Sequence, residues 1–558
     1  MQAAGEHLRD QNIRHAFDVI TGAGMALHAN AQRTQLLNPS PHLLARDSDF
    51  LGNLGAADDD GGIFGEEREQ RVDAAVGGAW QARYWFVAHV LEQRSIREQR
   101  TAHKRRLKSE GICARRRVAG VFRLRRLVKT KSYFGPVRAA ACVYNVKSRL
   151  LPGALKMVTL QSIKAAAGRI RDSIFVSPFV RSETFSKLTD NSIFFKLENL
   201  QMTGSYKERG ALNKILLLTS DERRRGVIAA SAGNHAQAVA YHAVKRGISA
   251  QICMPLTTPL VKVSATRGYG AEVILAGANY DEACHEALRR CEEQSLTFIH
   301  PFDDEAVIAG QGTLGIEMLA QQPDIEVLVI PIGGGGLIGG VACAVKETNP
   351  KIRVIGVQTS KLPSMKAAVE NGGPVTLPAK MTIADGIAVR CAGAVTLPMV
   401  KKYVDDIVTV DDEEIANAIL LLLEKEKTLT EGAGAVAAAA MLQRKIVQTG
   451  KKVGVLIGGG NIDVSLLSRI IERGLVKDGR LVRLRIHLPD HPGALERVAH
   501  VIAEHKGNIV ETNYDRAYFG VVLGDTAIDI TMETRGPEHV KELMSALDAA
   551  GYVHERIL

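Results

Sequence analysis

The sequence lacks the features that mark several classes of protein. No run of about 18 apolar residues occurs, so we expect no transmembrane helix and no membrane partner. The seven cysteines are scattered and contain no C-x-x-C pair, which indicates neither a zinc site nor a disulfide framework. Buried thiols in a reducing compartment are the simplest interpretation, and we predict a cytoplasmic protein.

Acidic residues are almost absent from one stretch. Residues 101–150 contain 15 Lys+Arg and one Asp or Glu, whereas the 558-residue chain carries 71 and 61 in total. Residues 1–150 alone account for the net charge of +10, so the remainder of the chain is neutral. The basic stretch matches no recognisable nucleic-acid-binding fold, and a solvated arm is the better interpretation. Binding of nucleic acid by this arm stays a minor hypothesis.

The chain divides into three segments that differ in texture. Residues 1–156 show no sustained periodicity, so we predict a largely unstructured, non-homologous extension. We expect the natural chain to begin at Met157 and the upstream part to be extra translated sequence; a genuine extension is the alternative. Residues 157–475 alternate short apolar strands with helical patterns. A linker at 474–480 then leads to a second unit at 480–558. Two or three domains are expected for a chain of this length.

The alternation of strands and helices predicts a parallel α/β architecture. Apolar segments such as GVIAA, VLVIPIG and VGVLIGG each precede a turn and then a helical pattern. Ligands bind at the carboxyl ends of the strands in such sheets, so functional residues should follow these segments. The C-terminal segment gives the order βαββαβ over about 80 residues, which predicts a ferredoxin-like unit.

One lysine stands where a lysine is poorly placed. In the stretch GSYKERG, Ser205 and Glu208 match a capping box, so Lys207 falls in the first turn of a predicted helix. The positive end of the helix dipole disfavours a cation at that position. A buried lysine in such a field is biased towards its neutral amine, which is a nucleophile for carbonyl groups.

Three motifs of small residues follow strand ends and are suited to hold an anion. They are SAGNHA (231–236), GGGGLIGG (333–340) and GGGN (458–461). Backbone N–H groups at a helix start bind phosphate or carboxylate. The long glycine run also matches G-x-G-x-x-G, but the next strand ends in Gln358 instead of an acidic residue, which favours a single phosphate over a dinucleotide. A tight turn and a simple helix cap are the structural alternatives.

A nucleophilic lysine near a phosphate site predicts pyridoxal phosphate, an aldehyde that carries a phosphate group. The ordered motifs resemble the fold type II pyridoxal-phosphate enzymes, which have a tryptophan synthase β-like core of two subdomains, and specifically the threonine ammonia-lyases (threonine dehydratases). The C-terminal unit resembles an ACT domain. The motifs that carry the first resemblance are KLENLQMTGSYKERGALNK, ASAGNHAQAVAYHA, IAGQGTLGIE, VIPIGGGGLIGGVA, TIADGIAV, TEGAGAVAAA and IGGGNID.

The resemblance implies a role for each motif. Lys207 would be the catalytic residue that binds the aldehyde of the cofactor and carries the proton, and Asn234 would contact the 3′ oxygen of the cofactor ring. The other cofactor-binding residues would be Tyr206, Gly333, Gly334, Gly335, Gly336, Leu337 and Gly458. The substrate carboxylate would be held, largely by backbone groups, at Ser231, Ala232, Gly233, Asn234 and His235.

The reaction implied by the resemblance is the deamination of L-threonine to 2-oxobutanoate, and of L-serine to pyruvate, by β-elimination of water. The alternatives are a protein that is mainly an L-serine deaminase or racemase, and a non-catalytic amino-acid sensor. Ala232 stands where serine racemases carry a serine, and Gln358 where they carry a metal-binding glutamate, so we predict no racemisation and no metal. Gly458 stands where the family has Ser or Cys opposite the pyridine nitrogen, so no side chain is expected to contact that nitrogen here.

The ACT resemblance implies allosteric regulation in a homo-oligomer, either a dimer or a tetramer. An amino-acid effector, such as isoleucine or valine, would bind between paired units. The effector-binding residues would be Asp490, Gly493, Ala494 and Asn508.

Overall fold

A computed structural model of the protein describes residues 157–515 and 524–557, so the predicted N-terminal extension lies outside the described residues. In its first part the chain forms α1 (Leu160–Ile170), β1 (Phe179–Ser182), α2 (Glu183–Thr189), β2 (Ser192–Leu197), α3 (Lys207–Leu216), α4 (Ser220–Arg225), β3 (Val227–Ala230), α5 (Asn234–Val244), β4 (Ala250–Met254), α6 (Leu260–Gly268), β5 (Glu272–Leu275), α7 (Tyr280–Glu293) and β6 (Thr297–Phe298).

The alternation continues to residue 477 and then changes character. The second part comprises α8 (Glu305–Gln321), β7 (Val327–Pro331), α9 (Gly336–Thr348), β8 (Arg353–Thr359), α10 (Ser364–Glu370), α11 (Thr396–Tyr403), β9 (Asp406–Val410), α12 (Asp412–Glu426), α13 (Gly432–Leu442), β10 (Lys452–Ile457) and α14 (Val464–Lys477). The C-terminal part comprises β11 (Leu481–Pro489), α15 (Ala494–Glu504), β12 (Asn508–Asp515), β13 (Asp525–Glu533), α16 (Pro537–Ala549) and β14 (His554–Ile557).

The strands before residue 477 form two separate sheets. The larger sheet has the order β1-β2-β10-β7-β8-β9, in which only β1 is antiparallel to its neighbour. The smaller sheet has the order β5-β4-β3-β6 and is fully parallel. The predicted parallel architecture of two subdomains is therefore confirmed.

Helices cover both faces of the larger sheet, as the side chains of β7 show. Leu328 and Ile330 pack with residues of α8, α9 and α11. Val327 and Val329 point the other way and pack with residues of α12 and α13. Strands covered on both faces are continuous apolar runs, which is why segments such as VLVIPIG could be recognised in the sequence.

The C-terminal part is an antiparallel sheet of order β12-β13-β11-β14. Its core includes Val498 of α15 and Leu543 of α16, so both helices contribute to the same hydrophobic cluster. The predicted βαββαβ order is confirmed.

The predicted linker at residues 474–480 is wrong in its first half. Helix α14 continues to Lys477, and a Cβ atom on Gly474 would overlap the side chain of Leu420 on α12. The glycine is thus a point of close helix packing, although it was predicted to belong to a linker. Only residues 478–480 separate α14 from β11, and Arg480 Nη1 donates to Glu424 Oε1 of α12 at 2.5 Å.

The start of α3 also differs from the prediction. Tyr206 is the N-cap residue of α3, and no side chain makes a capping hydrogen bond at this helix start. The predicted capping box is therefore wrong. The hydroxyl of Ser205 is buried without a hydrogen-bond partner among the described residues. Glu208 turns instead towards the Thr203 N–H, which donates to it, and towards His242 Nε2 at 3.3 Å. Tertiary contacts therefore replace the local cap.

A buried ion-pair network holds the first turn of α3. The Arg209 guanidinium donates to both carboxylate oxygens of Glu198, at 2.7 and 2.8 Å, and to Glu317 Oε2 at 2.9 Å. The side chains of Arg209 and Glu198 are 2% and 0% exposed. Since Lys207 lies two residues before Arg209, this network fixes the position from which the lysine projects.

We expect Arg209→Met to lower the free energy of unfolding by about 3–5 kcal/mol, because it leaves a buried carboxylate without its partner. Urea denaturation of the cofactor-free chain would measure the loss. The control is Arg289→Met, which removes an exposed ion pair with Glu286 and should change stability little. Equal losses in the two variants would contradict the importance of the buried network.

Candidate active site

One cavity of about 620 Å³ is lined by segments that follow β3, β7 and β10. These segments come from both parallel sheets. The structure thus brings together every residue that the sequence predicted for the cofactor and the substrate, namely Tyr206, Lys207, Ser231, Ala232, Gly233, Asn234, His235, Gly333, Gly334, Gly335, Gly336, Leu337 and Gly458.

Lys207 is the first residue of α3, and its amine lies in this cavity. Its Nζ donates to the carbonyl oxygen of Pro301 at 2.8 Å and lies 5.5 Å from the centroid of the Tyr206 ring. Burial lowers the pKa of Lys207 to about 8, and the nearby carboxylate of Glu431 opposes part of that shift. Desolvation is therefore the main cause of the weakened basicity of Lys207.

The glycine loop before α9 has no room for side chains. A Cβ atom on Gly334 would overlap the Phe302 ring, and one on Gly336 would lie 2.5 Å from the Phe302 carbonyl oxygen. Gly335 has a φ of +96°, which favours glycine. The Gly334 carbonyl accepts a hydrogen bond from Thr396 Oγ1 at 2.6 Å, which fixes the loop. The first N–H groups of α9 have no partner within the helix and can bind an anion.

The segment SAGNH follows β3 and enters α5 at Asn234. The Ser231 hydroxyl accepts a hydrogen bond from the Gly233 N–H at 3.2 Å, which closes a tight turn. A Cβ atom on Gly233 would meet no atom within 4 Å, so open space adjoins this backbone. A ligand carboxylate could therefore approach it.

The side chain of His235 faces the protein interior. Its Nε2–H donates to the Ile299 carbonyl oxygen at 2.8 Å. Burial, with a contribution from the charge of Lys207, lowers the pKa of His235 to about 3. The ring is neutral at working pH and offers no positive charge to a carboxylate, so any contribution of His235 to substrate binding comes from its backbone.

Gly458 lies beside Tyr206, whose N–H donates to the Gly458 carbonyl oxygen at 3.1 Å. A Cβ atom on Gly458 would lie 3.4 Å from Tyr206 Cδ1, which is an ordinary contact. The neighbouring position differs, because a Cβ atom on Gly459 would lie 2.5 Å from Glu431 Oε1. The site thus has space for a small side chain at residue 458 and none at 459.

Glu431 is the functional candidate that the sequence analysis missed. Its carboxylate lines the cavity and accepts a hydrogen bond from Asn234 Nδ2 at 2.6 Å. The available signal was a single acidic residue directly before the entirely small and apolar start of α13. Motif comparison alone could not reveal its contact with Asn234, which lies 197 residues earlier.

Two ion pairs span the rim of the cavity. Lys262 of α6 pairs with Asp385 at 2.6 Å, and Asp281 of α7 pairs with Arg390 at 2.6 Å. Helices α6 and α7 flank the smaller sheet, whereas the segment from Asp385 to Arg390 connects elements of the larger one. The pairs therefore join the two subdomains across the cavity.

The predicted effector residues do not meet within one chain. Asp490 and Gly493 lie at the turn between β11 and α15, and Ala494 is buried at the start of α15. Asn508 lies beyond the other end of that helix, where its Nδ2 donates to Glu533 Oε2 at 2.8 Å. An 11-residue helix is about 16 Å long, which one small effector could not span.

The position compared with a metal-binding glutamate, Gln358, is buried in β8, where its Oε1 accepts a hydrogen bond from the Lys366 N–H at 2.9 Å. In the described part of the chain, no three His, Cys, Asp or Glu side chains are grouped to hold a metal ion. None of the helices in residues 157–515 and 524–557 is long and apolar enough to cross a bilayer.

A comparison with family models decides the class of protein. The model described as "Pyridoxal-phosphate dependent enzyme" matches residues 170–459, which is more than half of the chain. The chain belongs to the pyridoxal-phosphate dependent enzymes. The cofactor is therefore pyridoxal phosphate, as the sequence predicted.

Individual relatives of this enzyme agree with that assignment. It is 48% identical over 396 residues to an L-threonine ammonia-lyase of Thermotoga maritima, covering 71% of this chain and 98% of that one. The processed form of threonine deaminase isoform 2 from Solanum lycopersicum has 36% identity and a TM-score of 0.54, covering 57% of this chain and 95% of that one. Maize serine racemase has 35% identity and a TM-score of 0.55, covering 58% and 99%.

The residues of the cavity fit pyridoxal phosphate. Lys207 supplies a buried amine of lowered pKa for the aldehyde, and the glycine loop supplies N–H groups for the phosphate. Both lie on a cavity large enough for a small cofactor and a substrate.

We expect Gly458→Ser to keep the stability of the cofactor-free enzyme and to bind pyridoxal phosphate several-fold more tightly, because a hydroxyl adds a hydrogen bond worth about 1 kcal/mol. Gly459→Ser is the matched control and should weaken binding, since its Cβ would collide with Glu431. Thermal melting and cofactor titration would measure both effects. Weaker binding in Gly458→Ser would contradict the proposed place of residue 458 beside the cofactor ring.

Proposed function

We propose that this enzyme deaminates L-threonine to 2-oxobutanoate and ammonia, and L-serine to pyruvate and ammonia. The observation that carries the proposal is the amine of Lys207 on the same cavity as the glycine loop and the SAGNH turn. The Thermotoga maritima relative, which is named L-threonine ammonia-lyase and is covered over 98% of its length, supports this choice of substrate.

The chemistry follows from the residues around the cavity. Pyridoxal phosphate, once bound, supplies the electron sink for the charge that develops at Cα. Lys207, whose pKa is near 8, accepts the Cα proton at neutral to mildly basic pH. The Cβ–O bond breaks and a Cα=Cβ bond forms, and the hydroxyl takes up one proton, equivalent to the one removed from Cα, and leaves as water. Hydrolysis of the released enamine then consumes one water and yields the 2-oxo acid and ammonia.

The SAGNH turn is the proposed site for the substrate carboxylate. Its backbone lies at the start of α5, where N–H groups have no partner within the helix. The open space beside Gly233 leaves the N–H groups accessible to the substrate. The neutral ring of His235 adds no charge there, so the carboxylate is bound by backbone dipoles.

Racemisation of serine is the alternative function, because the chain is similar to maize serine racemase. One residue disfavours it. Ala232 lines the cavity with a methyl group and cannot return a proton to Cα from the second face. Elimination needs proton removal from only one face. Deamination is therefore favoured over racemisation.

The C-terminal unit is the proposed regulatory domain, of ACT type. Because Asp490 and Asn508 lie at opposite ends of α15, an effector that contacts both requires two subunits, which supports a homo-oligomer. Helices α12 and α14 connect this unit to the cavity. Arg480 pairs with Glu424 near the end of α12, and the segment after α12 contains Glu431 of the cavity wall. Helix α14 begins shortly after Asn461, which also lines the cavity, and ends just before β11.

The proposal includes the bounds of the two units and the cellular location of the enzyme. We assign residues 157–477 to the catalytic unit, which includes all of α14, and residues 480–558 to the regulatory unit. The five cysteines of the described residues are free thiols, which is in keeping with a cytoplasmic enzyme.

Lys207→Ala should reduce the formation of 2-oxobutanoate from threonine by at least about 10³-fold, because one residue both binds the cofactor and moves the proton. A coupled assay of 2-oxo acid, with separate detection of D-serine from L-serine, would test the reaction. Lys164→Ala, an exposed lysine on α1, is the control and should keep full activity. Retention of more than a tenth of the activity in Lys207→Ala would refute the assignment.

Asp490→Ala in the full chain should abolish the response of threonine deamination to isoleucine or valine while leaving turnover without effector unchanged. Turnover without effector should not change, because Asp490 lies in the C-terminal unit and does not line the Lys207 cavity. Rates measured across effector concentrations would show the change, which for typical coupling is about 5–150-fold in affinity. An unchanged dose response in Asp490→Ala would place the effector elsewhere.

A further inference from the structure

A chain of hydrogen bonds links four separate segments at the cavity wall. Asn461 Nδ2 donates to the Thr203 carbonyl oxygen at 2.8 Å and to Asn234 Oδ1 at 2.7 Å. Asn234 Nδ2 in turn donates to Glu431 Oε1 at 2.6 Å. This series of hydrogen bonds begins at Thr203, in the loop before Lys207, and ends at Glu431, directly before α13.

These hydrogen bonds fix the orientation of the Asn234 amide. Asn461 presents N–H groups to both of its partners, so Asn234 has to present its oxygen to Asn461. Its amide nitrogen then faces the Glu431 carboxylate. In the flipped orientation two NH₂ groups would face each other, and the Asn234 oxygen would face a carboxylate. One of the two amide hydrogens remains available for a ligand.

The protein makes specific room for the Glu431 carboxylate. The residue is 6% exposed, and its backbone N–H donates to the Gly459 carbonyl oxygen at 3.0 Å. Gly459 has no Cβ, and a Cβ there would lie 2.5 Å from Glu431 Oε1. Burying a carboxylate is costly unless it is well bonded, so its presence in a cavity wall indicates a functional role.

Three titratable groups, Asp385, Lys262 and Lys207, act on the pKa of Glu431. Burial and the carboxylate of Asp385 raise the pKa of Glu431 to about 7, while Lys262 and Lys207 pull it down. Asp385 itself is paired with Lys262 at 2.6 Å. Glu431 in turn contributes to the raised pKa of Tyr206 and opposes the lowering of the pKa of Lys207. Glu431 and Lys207 line the same cavity, so the charge of the carboxylate acts on the lysine nitrogen.

We propose that Glu431 is a positioning residue that holds the Asn234 amide towards the cofactor ring and stabilises a proton on the nitrogen carried by Lys207. The inference rests on the proposed function and on the contact of Asn234 with the 3′ oxygen of the cofactor ring, which the family resemblance implies. It assigns two separable tasks to one side chain. The acceptor oxygen orients Asn234, and the negative charge favours the protonated lysine nitrogen.

Two variants of the full chain separate these tasks. Glu431→Gln keeps an acceptor oxygen for Asn234 and removes the charge, whereas Glu431→Leu removes both. The first readout is the dissociation constant of pyridoxal phosphate. The second is the pH midpoint of the visible absorption of the bound cofactor, which changes when the nitrogen shared with Lys207 gains a proton. Neither readout requires turnover.

For Glu431→Gln we expect a pH midpoint lower by about one unit, since a nearby negative charge is lost, and a dissociation constant close to that of the wild type. For Glu431→Leu we expect the same fall in midpoint and about tenfold weaker binding, because Asn234 loses its partner. In an Asn234→Ala background, Glu431→Leu should weaken binding no further. Glu293→Gln, which removes an exposed carboxylate on α7, should leave both readouts unchanged.

An unchanged pH midpoint in Glu431→Gln would overturn the electrostatic task. Additive losses in the double variant would overturn the positioning task and show that Glu431 only supports the fold. If Glu431→Leu does not fold, as melting of the cofactor-free chain would reveal, the midpoint of Glu431→Gln still decides the electrostatic task. A wild-type chain that binds pyridoxal phosphate without deaminating threonine would refute the proposed function alone, and these readouts would still decide the inference.

Discussion

The burial of the Lys207 amine is the constraint on which the site depends. A lysine exposed to water would be protonated at neutral pH and would react poorly with an aldehyde. The chain lowers the pKa to about 8 by desolvation while giving the amine one carbonyl partner, Pro301. The buried pairs of Arg209 with Glu198 and Glu317 hold the helix start that places it there. The charges buried at the helix start thus support a lysine whose amine is less basic than usual.

The two parallel sheets make this burial possible. Each sheet has its own cores, and the segments after β3, β7 and β10 line a shared cavity. Side chains at Gly334 and Gly336 would collide with Phe302, so the loop exposes backbone N–H groups. Two ion pairs at the rim, one formed by Lys262 and one by Arg390, join the two sides of the cavity. Motion of one subdomain against the other would alter both pairs.

Much of the fold and most of the site could be predicted from the sequence for identifiable physical reasons. Strands covered on both faces are continuous apolar runs, and parallel strands bring their carboxyl ends to one edge of a sheet. Glycines at 334 and 336 form a recognisable motif because Phe302 leaves no room for a side chain at either position. The ordered motifs therefore converge on one cavity.

The features that were missed depend on contacts between distant segments. The Ser205 cap failed because Glu208 found tertiary partners, and Gly474 was taken for a linker because close packing on Leu420 leaves no local signature. Glu431 escaped notice because its significance depends on Asn234. The separation of Asp490 from Asn508 likewise became visible only once α15 had been placed between them.

The central claim is that Lys207 is the lysine that binds the cofactor. Three lysines line the cavity, namely Lys207, Lys262 and Lys380, so the alternatives are defined. Borohydride reduction of the cofactor-loaded full chain makes the bond between lysine and cofactor permanent, and peptide mapping by mass spectrometry then locates it. The account predicts the reduced cofactor on Lys207 alone. Attachment to Lys262 or Lys380, or to no lysine, would contradict it.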